Sequence, residues 1–383
     1  MYVAELDRPW TGTPFAFQGF VVRTEKHLEV LREYCKHVFV DTERSDPGVV
    51  PDAGPPPPPA SAAGSEDPAS VRGEYGHAQR AYSSSAALVD EMLRAAHTGK
   101  VLDGRRLRVA VSNIADCIMR NPDALLLVSR LREKGGYTLS HALDVSVYMM
   151  VFGRFLHLER EAVELLGLLG LLQDVGKVRL PDALLEKKGK LTPEELEVAK
   201  THVAHTVELL RQTPDLPPKL AELAALHHER QDGSGYPKGL KGAEIPMYGA
   251  IAGIADTFDA LTKSRPYAEE ISPSNALGLL HKSREVHFPA ALVEQFIQCI
   301  GIFPIGSVVE LNTGEIGIVI AQNTVRRLQP RVMVVLDSQR QPLIPQKVLD
   351  LIKEPRATPG EPYRIRRTLP AESLPIDLQD FFL

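Results

Sequence analysis

The chain is short of several things. Among its 383 residues are only three cysteines, Cys35, Cys117 and Cys299. They form no CxxC pair and no even framework, so a disulfide scaffold is excluded and a reducing, cytoplasmic location is expected. No long apolar run is present. Uninterrupted stretches such as Leu165 to Leu172 fall far below the roughly 18 residues that a membrane span needs. The N-terminus, MYVAELDRPW, carries acids where a leader peptide needs a basic and then an apolar segment. Positive charge is not in excess: 44 Lys and Arg against 49 Asp and Glu leave a formal net charge of −5. Nothing in that total favours a nucleic-acid polymer as partner. With 44% hydrophobic and 24% charged residues, wholesale disorder and collagen-like structure are excluded. The length suits two or three domains.

What the chain does have is 30 prolines and 12 histidines. Eight of those prolines lie between Pro47 and Pro68, including the run Pro55 to Pro59. From Ser45 to Glu74 there is no Leu, Ile, Met or aromatic residue. Such a segment buries too little apolar surface to offset its ordering entropy. Residues 45–75 therefore read as a linker, polyproline II in the middle, acting as a spacer or as a docking point for a partner. Residues 1–44 read as a small α/β unit. Gln18 to Arg23 and His37 to Asp41 suit strands, and Thr24 to Cys35 a helix. So small a unit needs the rest of the chain, or a second copy in a homodimer, to pack against.

From about 76 to 300 the chain is helical, with a lead-in over 76–133 and a main domain over 134–300. Leu139 to Leu156 puts His141, Val145, Tyr148 and Phe152 on one stripe. Thr192-Pro-Glu-Glu195 is a capping box with proline at the first helical position, opening a helix expected to run to about Arg211. Helices are expected from Pro218 to about His228 and from Ala250 to Thr262. Beyond Pro304 the period falls to two. Val308–Leu311, Asn312-Thr-Gly314 and Ile316–Ile320 read as a hairpin, and Val332–Leu336 as a third strand. Residues 301–352 thus form a small β-rich module, and 353–383 a tail of little periodicity expected to drape over the surface. The fold class is mainly α, flanked by a small α/β unit and a β-rich module. No internal repeat of 20–50 residues is visible.

The histidines cluster in the helical part. His141, His202, His205, His227 and His228 interleave with Asp174 and Asp256. Singly, each has an ordinary reading: a core histidine, a surface pair, a turn cap. Two features resist it. Adjacent helical residues diverge by about 100°, so His227-His228 rarely serves one core face, yet at a helix end both rings can turn to one centre. The following loop, Asp232-Gly-Ser-Gly-Tyr-Pro237, is too polar and glycine-rich for packing, and such loops let backbone approach a ligand. Histidine nitrogens with aspartate oxygens suit Mn, Fe or Zn rather than Ca or Mg. Histidine sets joined by an aspartate would describe a two-metal hydrolase of phosphoesters, the alternative being a structural histidine cluster.

Motif order then becomes specific. Tyr137-Thr-Leu-Ser-His141, Gln173-Asp-Val-Gly-Lys177, Lys200-Thr-His202, His227-His-Glu-Arg230, Asp232-Gly-Ser-Gly-Tyr-Pro237, Ala255-Asp256 and Arg265-Pro-Tyr267 succeed one another. Together they resemble the HD-GYP family of cyclic di-GMP phosphodiesterases, a branch of the HD hydrolase superfamily. The resemblance covers about 134 to 300, and the N-terminal unit and the β module beginning Gly301-Ile-Phe-Pro304 are similar to one bacterial subgroup. It implies an HD-type helical bundle and two divalent transition metals, Mn or Fe. It implies His141, Asp174, His202, His227, His228 and Asp256 as ligands, with Asp174 bridging. Lys177 is implied at the scissile phosphate, where Asp174 and Lys177 carry catalysis. Gly235, Tyr236 and Pro237 are implied in a loop that shapes the site and contacts protein partners, and Arg265 at the nucleotide. The implied reaction converts cyclic di-GMP to pGpG and then GMP, lowering cyclic di-GMP, with more motility and less biofilm.

Two departures stand out. Gln173 replaces the histidine of the HD pair, and an amide oxygen is a weaker, neutral ligand. Tyr137 stands where three-metal members carry glutamate, so two metals at most are expected. His205 matches no family ligand. Asp259 shares a helical face with Asp256 and reads as either a supporting or a solvated residue. Two further readings follow from Gln173 and from the unread base pocket: a module that binds cyclic di-GMP without turnover, and a phosphodiesterase for another cyclic dinucleotide.

Overall fold

The computed structural model describes residues 2–6, 20–22, 25–35, 38–41, 68–131, 136–187, 189–263, 271–323, 326, 328–358 and 361–369. The N-terminal unit pairs β1 (Tyr2–Leu6) between β2 (Phe20–Val21) and β3 (Val38–Asp41), both antiparallel, with α1 (Glu25–Tyr34) between the outer two in sequence. Val3 and Leu31 make its own small core, with Val22, Cys35 and Val38 packed against them. The central strand β1 was not anticipated from sequence. Its alternation is broken by a register shift between Val3 and Glu5, and a bulge blurs period two.

The helical domain begins at α2 (Pro68–His97), inside the stretch read as linker. Pro68 stands at the first helical position, where a missing N–H costs nothing. Then come α3 (Gly104–Arg120) and α4 (Pro122–Leu131). Asp103 caps α3 by accepting from Arg106 N at 3.0 Å. Asn121 ends α3 and caps α4, its Oδ1 accepting from Asp123 N at 3.0 Å and Ala124 N at 3.3 Å. α5 (Tyr137–Phe155) and α6 (Arg160–Leu172) follow. α5 is buried almost all round, as befits the central helix of a bundle. α7 (Asp182–Leu185) is a single turn.

The expected helix from Thr192 divides in two, α8 (Pro193–Lys200) and α9 (His202–Gln212). Its capping box is present as anticipated. The break falls at Thr201, whose hydroxyl donates to Val198 O at 2.6 Å and competes with the helix ladder. α10 (Leu220–Ala224) stops short of His228, so His227 and His228 occupy the turn after it. α11 (Met247–Leu261), α12 (Pro273–Ser283) and α13 (Ala290–Ile300) complete the bundle. Edge-to-face rings tie α5, α11 and α13 together: Tyr148 to Phe258 at 5.2 Å, Phe258 to Phe296 at 5.4 Å, Phe152 to Phe296 at 5.3 Å. That aromatic joint fixes the register between α5, which carries His141, and α11, which carries Asp256.

The β module holds β4 (Val308–Leu311), β5 (Ile316–Ala321), β6 (Arg331–Leu336), β7 (Pro342–Asp350), the short pair β8 (Arg356–Thr358) and β9 (Glu361–Pro362), and β10 (Ile365–Leu369). The sheet order is β10-β4-β5-β6-β7, all antiparallel. The described part of the tail therefore does not drape. β10 is an edge strand of the main sheet. Glu310 on β4, largely buried, accepts from Arg367 at 2.8 Å and from Arg366 and Arg340 at 3.2 Å. Ile365-Arg-Arg-Thr-Leu369 is too short and too cationic to announce itself as a strand; its cross-strand partner supplies the reason to pair. Buried residues of β4 to β7 join those of α2 to α13 in one continuous core. Among the described residues no helix is long and apolar enough to cross a membrane.

Candidate metal centre

Five elements deliver the site. α6 ends at Gln173, and Asp174 opens the 3-10 turn Val175–Arg179. Gly176 in that turn lies under the start of α9. A Cβ there would sit 2.2 Å from His202 O and 2.4 Å from Thr206 N, so only glycine permits the approach. Thr206 Oγ1 locks it, accepting from Gly176 N at 2.9 Å and donating to Gln173 O at 3.1 Å. Asp174 and His202 are thereby brought face to face. The turn after α10 adds His227 and His228, α5 adds His141, and α11 adds Asp256.

Two groups of ligating atoms result, each with atoms lying within 4.8 Å of one another: Asp174, His202, His227 and His228; and His141, Asp174 and Asp256. Asp174 belongs to both. His202 Nδ1–H donates to Ala199 O at 2.6 Å, and His227 Nδ1–H to Ala224 O at 2.7 Å. In the neutral ring this leaves a lone pair on each Nε2. Those two nitrogens are 3.4 Å apart and lie 3.2 and 3.5 Å from Asp174 Oδ1, which has no aligned hydrogen bond. Three buried lone pairs converge with no proton between them. They repel unless a cation sits among them, so these residues fit a metal ion.

The second group is built differently. His141 Nδ1–H donates to Asp259 Oδ2 at 2.7 Å, and its Nε2 lies 3.0 Å from both Asp174 Oδ2 and Asp256 Oδ1. Burial opposes a charge on this imidazole, but its bonds to Asp174, Asp256 and Asp259 outweigh burial and raise its pKa to about 10. A proton on Nε2 satisfies both facing carboxylates; a divalent cation would displace it. Gln173 lies alongside, its Nε2 3.5 Å from Asp256 Oδ1 and its buried Oε1 without a hydrogen bond. That orphaned amide oxygen is a neutral donor to a cation.

Electrostatics prepare the ligating forms. Burial pushes the Asp174 carboxyl up, but Lys177 and the bond from His141, with the His202 and His227 rings close by, hold it well below the usual carboxylate range. Lys177 Nζ is 2.7 Å from Asp174 Oδ2 and is partly exposed at the site's edge. Asp256 is likewise held down, chiefly by His141 against its own burial. Burial, and then the neighbouring His227, keep His228 neutral.

The Gly-Tyr-Pro loop closes one side. The Tyr236 ring stacks on His228, centroids 4.6 Å apart at 28°, with Lys200 Nζ 5.4 Å from its centroid. Gly235 lies against the histidine turn; a Cβ there would meet Arg230 N at 2.3 Å and His228 O at 2.5 Å. Tyr236 and Pro237 also wall a groove of ≈ 890 Å³ that runs along α9 and α10. Arg265 and Tyr267 lie outside the described residues, and so does the side chain of Tyr137.

Two further residues hold this arrangement. Glu229, 2% exposed, accepts from Lys238 N at 2.7 Å and Leu240 N at 2.9 Å, pinning both sides of the turn that follows Pro237. Asp259 is fully buried and orients His141, deciding between the two readings it had. Only the His-His-Glu triplet pointed to Glu229, and only the helical face shared with Asp256 pointed to Asp259.

The matches to known proteins agree with this geometry. The profile described as HD domain matches residues 121–292, a KOW domain associated with HD domain matches 308–358, and a domain of unknown function (DUF3391) matches 1–107. The cyclic di-GMP phosphodiesterase PA4108 of Pseudomonas aeruginosa is 31% identical over 357 residues, 92% of this chain and 86% of that protein. The chain belongs to the HD-GYP family. It is an HD-type phosphodiesterase, and the likeness to this relative extends through all three matched segments. Other relatives match over less. The 3'3'-cGAMP-specific phosphodiesterase 2 of Vibrio cholerae is 36% identical over 171 residues, 44% of this chain and 32% of that protein. A cyclic di-GMP phosphodiesterase of Thermotoga maritima is 50% identical over 97 residues, 25% of this chain and 26% of that protein.

Proposed function

We propose that this phosphodiesterase hydrolyses cyclic di-GMP to pGpG and onward to GMP, using two divalent transition metal ions, Mn or Fe. The observation that carries the reading is the pair of ligand groups sharing Asp174, one lined by three imidazoles and the other by His141 and Asp256. His202, His227, His228 and Asp174 would hold one ion; His141, Asp256, Asp174 and the Gln173 amide oxygen would hold the other. When bound, such ions supply an activated water and charge stabilisation for displacement at phosphorus.

The chain's own residues do the rest. Asp174, kept ionised by Lys177, fixes the spacing between the two groups. Lys177, at the edge of the site, has an ammonium that can turn from Asp174 to a phosphate oxygen and stabilise charge developing there. Tyr236 offers an aromatic edge beside His228, and Arg265 a guanidinium suited to phosphate or a guanine edge. Cyclic di-GMP as substrate is supported by the relative that spans most of this chain; a mixed cyclic dinucleotide is the competing substrate, because three partial relatives are named for it. Lowered cyclic di-GMP in the cell, with greater motility and less biofilm, would follow.

The test is incubation of purified protein with Mn(II) or anaerobic Fe(II) and an equal mixture of cyclic di-GMP and 3'3'-cGAMP, resolved by chromatography. Cyclic di-GMP is expected to be consumed first, with pGpG appearing before GMP. No turnover with either metal would leave a nucleotide-binding module instead.

A further inference from the structure

His141 is held by a buried chain of groups that continues well past the metal centre. Asp259 Oδ2, which accepts from His141, is also 3.1 Å from Lys263 Nζ. Lys263 Nζ is 2.7 Å from Asp144 Oδ2. Asp144 Oδ1 accepts from Tyr82 Oη at 2.7 Å and from Ser129 Oγ at 2.6 Å. His141 and Asp144 are three residues apart on α5; Asp259 and Lys263 are four apart, on α11 and just beyond it. Together they form a closed rung between the two elements. Tyr82 reaches that rung from α2 and Ser129 from α4. All but Lys263 are buried, and 16% of its side chain is accessible.

Charge explains why the outer donors matter. When His141 is neutral, as a metal ligand must be, Lys263 is one ammonium facing two buried carboxylates. Buried charge of that kind is tolerated only when donors reach it. His141 supplies the donor for Asp259; Tyr82 and Ser129 supply two for Asp144. Without them Asp144 draws Lys263 toward itself and away from Asp259. Asp259 then holds the His141 ring less firmly, and groups that orient a ligating imidazole tune its affinity for the ion.

We propose that Tyr82 is a positioning residue for His141, so that α2 sets how tightly the His141–Asp256 half of the centre holds its cation. This rests on the two-ion reading above and gives the segment matched to a domain of unknown function a task in it. Tyr82 lies inside that matched segment, 1–107.

The experiment uses the full chain, depleted of metal and titrated with Mn(II), the free ion being followed by electron paramagnetic resonance. Wild type should show two classes of site. Tyr82→Phe keeps the ring in the core and removes only the hydroxyl. It should weaken the looser class by about tenfold, the low end for groups supporting a ligand, and leave the tighter class unchanged. Ser129→Ala should act in the same direction. Ser146→Ala is the control: it deletes a buried bond of the same helix, Ser146 Oγ to Gly167 O at 2.8 Å, outside the rung, and should leave both classes unchanged. Equal Mn(II) affinities in folded Tyr82→Phe, Ser129→Ala and wild type would overturn the proposal. So would an equal loss in Ser146→Ala. If wild type itself lacks two classes, the two-ion reading fails first, and the proposal with it.

Discussion

The two halves of the proposed metal centre are made of different materials. The His202–His227–His228 half is all imidazole around one oxygen of Asp174, and two of its rings are fixed by backbone carbonyls within their own turns. Those carbonyls come with the local fold, so that half is organised wherever α9 and the turn after α10 form. The His141–Asp256 half is carboxylate-rich, has an amide where family resemblance expects imidazole, and relies on side chains from distant elements to orient its one ring. The first half should bind its ion tightly and the second more loosely. Their shared oxygen donor, Asp174, means that neither can be lost without cost to the other.

The contrast can be broken most severely at Asp174. Asp174→Asn removes the charge common to both groups and should lower turnover by at least about 1,000-fold, since several kcal/mol of charge stabilisation go with the ions. Steady-state assays at saturating Mn(II) with inductively coupled plasma counting of bound metal would check it; a variant retaining two ions and full rate would contradict the bridging role. A milder change sharpens the same contrast. Gln173→His restores an imidazole beside Asp256 and should tighten the looser site by about tenfold or more, as neutral amide oxygen gives way to nitrogen. Mn(II) titration reads this, and unchanged affinity would mean that Gln173 lies outside the coordination sphere. The smallest effect is expected at Glu229. Glu229→Gln keeps the shape but weakens two charge-assisted bonds to the loop, each worth about 1.5–3 kcal/mol at full strength. KM for the dinucleotide should rise several-fold with little change in metal content, and a rise in metal loss instead would place Glu229 in support of His228.

Much of the proposed centre was legible because its candidate ligands sit in short motifs whose order is informative. Asp174, His202, His227, His228, His141 and Asp256 could all be named from spacing and resemblance, and the structure brings them into two touching groups. The capping box at Thr192 and the hairpin at Asn312-Thr-Gly314 were equally readable, because both are local rules written in four or five residues. What escaped was long-range. Asp144 looks like any helical acid until 62 residues of chain fold Tyr82 onto it, and the two readings of Asp259 are decided only when 118 residues fold His141 onto it. β10 needed Glu310 as a partner 57 residues away before its arginines made sense in a sheet. The early start of α2 escaped for the opposite reason: a low apolar content outweighed a single well-placed proline.

The common core of bundle and sheet bears on how this chain can be cut. The stretch matched as HD domain, 121–292, carries every candidate ligand, yet α2, α3 and strands β4 to β7 contribute side chains to the same interior. A fragment trimmed to the matched stretch would bare those faces to water and invite aggregation, and domain-swap chimeras joined at 121 or 292 would inherit the fault. The boundaries that sequence comparison draws are boundaries of inheritance; the unit of folding, and so of any expression fragment, is wider on both sides.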